Sequence, residues 1–316
     1  MRFCFIHDQR ATFPVRVMCK MLDVSASGYY AWRGRPESMR TAANRQLIEE
    51  IRRVHGDSRG RYGSPRVHAA LRAEGRQIGR NRVARLMHHH GICARQKRRF
   101  GRTTDSSHDF PLAPNLLGRR FTASAPDRVW LADITYIPTA EGWLYLAVVL
   151  DMFSRRVVGW AMDERITQEL TLNALRMAIA TRRPRPGLLH HSDRGSQYAA
   201  HAYRRLLAGH GMRCSMSRKA DCWDNAPMES FFGSMKTELD DASGYQTRQA
   251  ARTGLFQFIE GWYNCHRLHS AIGYMTPMQK EQLAAAAQAV TRVHQNGGRS
   301  NSCFMSSVLS LGSSDL

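Results

Sequence analysis

Acidic residues are scarce in this chain: 26 Asp and Glu stand against 46 Lys and Arg in 316 residues, leaving a formal charge of +20. Such a surplus fits a polyanionic partner, nucleic acid above all. Cysteine in a metal or disulfide pattern is also missing. The seven cysteines, at 4, 19, 93, 214, 222, 265 and 303, contain no C-x2-C pair and leave an odd count. That argues against a zinc module or a disulfide framework and for reduced thiols in a cytoplasm. No apolar run approaches the roughly 18–20 residues that span a bilayer, and no signal peptide is evident, so no membrane partner is expected.

The charge is unevenly spread. Residues 1–120 hold 25 Lys and Arg against 9 Asp and Glu, whereas 121–316 hold 21 against 17. The first part is suited to gripping a phosphate backbone, which leaves the second to carry chemistry. There three acids stand in distinctive settings, Asp133, Asp193 and Glu229, with 59 and 35 residues between them. Asp133 lies inside the β-branched and aromatic run 129–137, which reads as a covered strand where an uncompensated carboxylate is costly. Asp193 follows Leu188 and Leu189 and opens a loop at Arg194 and Gly195, as at the carboxyl end of a core strand, where ligands gather. Glu229 falls in the first turn of a predicted helix over about 226–240. Asn225 stands at its N-cap, with Met228, Phe231 or Phe232, Met235 and Leu239 at core spacing.

Converging carboxylates repel one another unless cations neutralise them, and all-oxygen ligands favour Mg²⁺ or Mn²⁺ over zinc. Two such ions can activate a water or a 3′-hydroxyl and stabilise a leaving oxygen, which is phosphoryl-transfer chemistry on nucleic acid.

The chain further contains Tyr62-Gly63 before a basic helix, Trp130 with Asp133-Ile134-Thr135-Tyr136, and the run from His191 through Asp193 to Tyr198. Asp224-Asn225-Ala226, Glu229-Ser230-Phe231-Phe232, Tyr263-Asn264, Arg267, His269 and a close at Gly273-Tyr274-Met275-Thr276-Pro277 complete the series. In this ordered set it closely resembles the second-reading-frame transposases of the IS-three family of bacterial insertion sequences, within the DDE transposase and retroviral-integrase superfamily. The resemblance runs from about residue 13 to 277. It implies an α/β, RNase H-like core with Asp133, Asp193 and Glu229 as catalytic metal ligands. It also implies DNA strand cleavage at element ends followed by strand transfer. The implied partners are the terminal inverted repeats and target DNA, a homo-oligomer on DNA, and the upstream-frame product, whose long leucine-type heptads this chain lacks. A bacterial cytoplasmic, nucleoid-associated location follows.

The residues suggest five segments: a helix–turn–helix-like stretch over 1–38, a basic helical DNA-binding region over 39–100, a linker over 101–124, the core over 125–280, and a C-terminal helix and disordered tail over 281–316. In the core, strands are predicted near 128–137, 143–151, 155–162, 187–192 and 211–216. Helices are predicted near 167–182, 198–209 and 246–264, beside the one carrying Glu229. Alternating helices and strands after three strands require a mixed sheet covered on both faces.

In the basic region Val83, Leu86 and Met87 point inward, leaving Arg80, Arg82 and Arg85 for DNA. Lys97, Arg98 and Arg99 continue as a basic linker that either follows a groove or is solvated. Lys236, two turns beyond Glu229, is expected to meet a phosphate near the scissile bond. Asn225 either orients Glu229, touches DNA or simply caps the helix. Arg267, with Tyr263, Asn264 and His269, contacts DNA or braces the fold. Asp151 reads as a turn cap or arginine partner before a fourth ligand, and Asp221 and Asp224 as turn or cap residues. His88, His89 and His90 diverge by about 100° per residue on a helix and cannot share an ion. His190 or His191 touches substrate or makes a structural hydrogen bond. Two other functions compete, a nuclease acting on RNA–DNA hybrids and a decayed DNA-binding regulator. The added basic region speaks against the first, and three intact acids against the second.

Overall fold

The computed structural model describes residues 1–95, 112–218, 222–239 and 244–297. Two compact units divide the chain, Met1–Ala94 and Arg95–Leu316.

In the first unit, α1 (Arg2–Asp8), α2 (Val15–Met21) and α3 (Ala26–Gly34) close around Ile6, Met18, Cys19 and Tyr29. The break between α2 and α3 ends at Ser25, whose hydroxyl accepts the Gly28 N–H at 2.8 Å and starts α3. Helix α1 starts without a local signal, since its N-cap is Met1, which makes no side-chain capping bond. A second set follows, α4 (Met39–Asp57), α5 (Ser64–Ala73) and α6 (Arg80–His89). Ser38 caps α4, its hydroxyl accepting the Thr41 N–H at 3.1 Å. Leu47, Ile48, Ile51 and Val54 of α4 are buried, as are Val67 and Leu71 of α5 and Val83 and Met87 of α6.

The second unit is built on a five-stranded sheet of β1 (Val129–Thr139), β2 (Gly142–Asp151), β3 (Val157–Asp163), β4 (Leu189–Ser192) and β5 (Arg213–Met216). Their order is β3-β2-β1-β4-β5, with β1 to β3 antiparallel and β4 and β5 parallel to β1. Between β3 and β4 runs α7 (Gln168–Arg182); α8 (Ser196–Ala199) and α9 (His201–Gly209) link β4 to β5. A 3-10 turn, Cys222–Asn225, leads into α10 (Ala226–Glu238). Next come α11 (Arg248–Phe256), prolonged as a π-helix over Gln257–Tyr263, and α12 (Pro277–Gly297).

Apolar side chains of α7, α8 and α9 cover one face of the sheet, and those of α10, α11 and the π-helix the other. This two-faced cover is the mixed α/β architecture expected from the order of elements. It is tight at Gly159, where a Cβ would stand 2.7 Å from that of Ala178, so α7 approaches β3 closely only because that position is glycine.

Two expected boundaries shift. Of the stretch read as a linker over 101–124, the described part from 112 onward is bound to the core. Leu117 is buried in it, and the Leu116 N–H donates to Ser215 Oγ at 2.9 Å. The C-terminal helix begins at Pro277, and Glu281 ties its first turns to the core by pairing with Arg156 and Arg182. Residues 298–316, the expected tail, lie outside the described residues, as do Lys97, Arg98, Arg99 and Asp221.

Candidate active site

Alternation along β1 sends Leu131 and Ile137 toward α10 and α11, and Trp130 and Ala132 to the opposite face. Asp133 shares the parity of Leu131, and its antiparallel partner Val148 lies in the same apolar layer, so its carboxylate is on the α10 side. The parallel ladder between β1 and β4 runs from Val129↔Leu189 to Ala132↔Ser192 and stops. The next residues on the two strands are Asp133 and Asp193. Two carboxylates therefore leave adjacent positions where the parallel pairing ends, Asp193 just past the carboxyl end of β4 and Asp133 midway along β1. Asp193 is fixed by the Gly195 N–H, which donates to its Oδ1 at 2.9 Å.

The helix carrying Glu229 is seated by its apolar stripe: Met228, Phe231, Phe232 and Met235 are all buried against the sheet. Glu229 itself is exposed in the first turn, yet near enough for its charge to act on Asp133. Asn225 occupies the N-cap position but makes no cap hydrogen bond. Its Nδ2 donates instead to Asp133 Oδ2 at 3.2 Å and to the Ala132 carbonyl at 3.5 Å. The other Asp133 oxygen, Oδ1, accepts the Ile134 N–H at 2.7 Å.

Burial, then the negative charge of Asp193 and that of Glu229, hold Asp133 well above the usual carboxylate range. A cation would remove that penalty. The donor set is oxygen throughout, and the amide oxygen of Asn225 is buried without a hydrogen-bond partner, so the residues fit a hard divalent ion. Among the described residues no three His, Cys, Asp or Glu side chains form a finished metal cage, and with Glu229 exposed the set is open.

Behind the site is a brace that sequence reasoning missed. Asp224 is fully buried rather than a simple turn residue. It accepts from Asn115 Nδ2 at 2.8 Å, from Arg119 Nε at 3.0 Å, and from the backbone and guanidinium of Arg218. Arg218's hydrogen bonds, helped by Arg119, hold its carboxyl far below the ordinary range. This anchors the turn preceding α10 and hence the helix bearing Glu229. Only the position of Asp224, beside Asn225 in the motif, hinted at it.

The remaining residues divide. His190 bonds Tyr203 Oη at 3.0 Å through Nε2, and His191 bonds Ser215 and Ser217, so both take the structural alternative. Burial lowers them to about 3 and about 4. Asp151 accepts the N–H groups of Asp127 and Ser154 and the Ser154 hydroxyl; it caps a turn, as the preferred reading had it. Arg267 is a brace, not a DNA contact: it is buried and grips Glu238 at 2.7–3.0 Å. Asn225 is likewise enclosed beside Asp133 rather than presented to DNA. Lys236 is half-buried, its Nζ 4.5 Å from the Tyr136 ring centroid and within the field of Asp133; burial lowers its pKa. On α6, Arg80 and Arg85 are exposed, whereas Arg82 turns back to Asn44 Oδ1 at 2.7 and 2.9 Å.

Family models described as integrase core domain match residues 123–222 and 210–277, and one described as HTH-like domain matches 42–100. The latter falls on α4 to α6, the second helical set. A protein of Shigella sonnei called insertion element IS600 uncharacterized 31 kDa protein is 45% identical over 260 residues, 82% of this chain and 96% of that one. Transposase InsF for insertion sequence IS3A, from Escherichia coli, is 39% identical over 283 residues, 89% of this chain and 98% of that one. Among solved structures, the HTLV-2 integrase catalytic core domain in complex with magnesium is 18% identical with a TM-score of 0.39, covering 50% of this chain and 99% of that one. No helix among the described residues is long and apolar enough to cross a membrane. Built on an integrase core and nearly coextensive with InsF, the chain belongs to the IS3 family of insertion-sequence transposases, polynucleotidyl transferases of the DDE type.

Proposed function

We propose that the chain binds the terminal repeats of its element, nicks a strand there with water, and joins the freed 3′-hydroxyl to another phosphodiester. Asp133, Asp193 and Glu229 hold Mg²⁺ or Mn²⁺, two ions in the working state. The observation that carries this reading is the end of the β1–β4 ladder at Ala132↔Ser192, which supports Asp133 and Asp193 as neighbours facing a common opening. The bound ions supply activation of the attacking hydroxyl and charge stabilisation at the leaving oxygen.

The chain's own groups do the rest. Asp133 is held at both oxygens and keeps one geometry, Asp193 is set by the turn at Gly195, and Glu229 is offered from the first turn of α10. Lys236 supplies positive charge beside Asp133 for a phosphate near the scissile bond. Arg80 and Arg85, exposed on α6, grip backbone phosphates without reading sequence. Because two element ends are processed together, the working form is a multimer on DNA in a bacterial cytoplasm, with the upstream-frame product as its partner in recognising the ends.

The test is a labelled duplex carrying the terminal repeats, incubated with Mg²⁺ or Mn²⁺. Wild type should nick and join. Asp133→Asn and Glu229→Gln should bind the duplex yet lose on the order of 10²–10³-fold or more in rate, as when a main electrostatic stabiliser is removed. No cleavage by wild type, even with the upstream-frame product added, would overturn the reading.

A further inference from the structure

We propose that Asn225 is a positioning residue of the acidic site. Its amide N–H orients the Asp133 carboxylate, and its amide oxygen is an acceptor held ready for the hydration shell of a bound divalent cation. The inference rests on the metal reading above.

Asparagine at an N-cap ordinarily accepts an N–H from the first helical turn. Asn225 stands at that position of α10 and makes no such bond. Its donor end is spent across the sheet on Asp133 Oδ2 and the Ala132 carbonyl. With the Ile134 N–H on Oδ1, both oxygens of Asp133 are then held, which fixes the plane of the carboxylate while leaving each oxygen further acceptor capacity.

The acceptor end is idle. Asn225 is 5% exposed and its Oδ1 has no hydrogen-bond partner, a rare state for a buried amide oxygen. It lies across a single amide group from the donor that touches Asp133, so whatever satisfies it stands beside that carboxylate. A water carried by a cation on Asp133 would supply the missing donor. The same side chain joins the strand of Asp133 to the helix of Glu229, four residues on, so one residue sets the relation between two ligands drawn from distant parts of the chain.

Mn²⁺ titration of the full chain without DNA, followed by electron paramagnetic resonance, tests this beside thermal unfolding in EDTA. Two variants are needed. Asn225→Ala removes both ends of the amide, while Asn225→Ser keeps a side chain that caps helices but is too short for Asp133. Both should weaken Mn²⁺ binding on the order of 10–100-fold, the range for loss of a group that orients a ligand. Asn225→Ser should also unfold in EDTA near the wild-type temperature. Mn²⁺ affinity within about twofold of wild type in Asn225→Ser would mean that the residue only caps, and would overturn the proposal. No Mn²⁺ binding by wild type would instead remove the metal reading itself, an outcome visible before any variant is compared.

Discussion

The catalytic unit encloses several of its carboxylates, whereas the paired carboxylates of the helical unit stay nearer the surface. In the helical unit, pairs such as Arg53–Glu74 lie open to water, with side chains 49% and 44% exposed. In the catalytic unit, Arg267–Glu238 is enclosed, at 4% and 7%, and Asp224 and Asp151 are taken inside with it. Exposed pairs contribute little to stability and leave the surplus of arginine facing solvent, where a phosphate backbone can use it. Enclosed pairs are costly to break and fix the elements around the site. Charge therefore stays at the surface in the first unit and aligns elements in the second.

The sharpest way to break that contrast is Glu238→Gln, which removes the buried carboxylate that Arg267 grips and leaves one amide oxygen where two carboxylate oxygens accept from Arg267 and Trp262 Nε1. It should cost about 3–5 kcal/mol in denaturant unfolding. Acid should act next. His190 falls to about 3 on folding, so the unfolded chain binds its proton first. The stability it supports is complete above about pH 6.5 and declines as pH falls, by about 2 kcal/mol at pH 5. Asp151 opposes it: burial raises it to about 6, so its contribution is present below about pH 4 and lost as pH rises to 6. His191, lowered to about 4, declines over the same window, so replacing both His190 and His191 by Gln should expose a stability that falls between pH 4 and 6, whereas Asp151→Asn should steepen the rise; unfolding followed across that window reads both slopes.

Smaller effects should appear in the first unit. Arg80→Ala and Arg85→Ala should each reduce the slope of log affinity against log salt by about 1 in DNA titrations, with sequence preference unchanged. Arg53→Ala, which removes an exposed pair, should alter unfolding free energy by no more than about 0.5 kcal/mol. A loss in Arg53→Ala as large as that in Glu238→Gln would erase the contrast.

What could be read from sequence follows the range of the forces involved. The strands of the core and α10 were legible because their signal is local: β-branched alternation through Asp133, and Met228, Phe231, Phe232 and Met235 at helical spacing. The settings of the three acids were legible for the same reason. The Asn115–Asp224–Arg119 brace was not, because its members lie about a hundred residues apart and nothing periodic marks them. The segment from 112 looked like a linker since an extended chain with one buried leucine has no repeat to detect. Arg267 carried charge and sat in a motif, which suggests a surface role; its enclosure depends on Glu238, 29 residues earlier. Asn225 read as a cap by position, and only the fold of β1 beneath it shows where its amide goes.

The ladder between β1 and β4 ends level, at Ala132↔Ser192. A strand position has only two faces, and neighbouring strands share a common ruler of about 3.3 Å per residue. Between Val129 and Asp133, and between Leu189 and Asp193, the number of residues therefore matters more than their kind. Conservative exchanges within either run leave the two acids level. Deleting a single residue from one run would shift its acid by one step and turn it to the other side, so the two carboxylates would no longer face a common site.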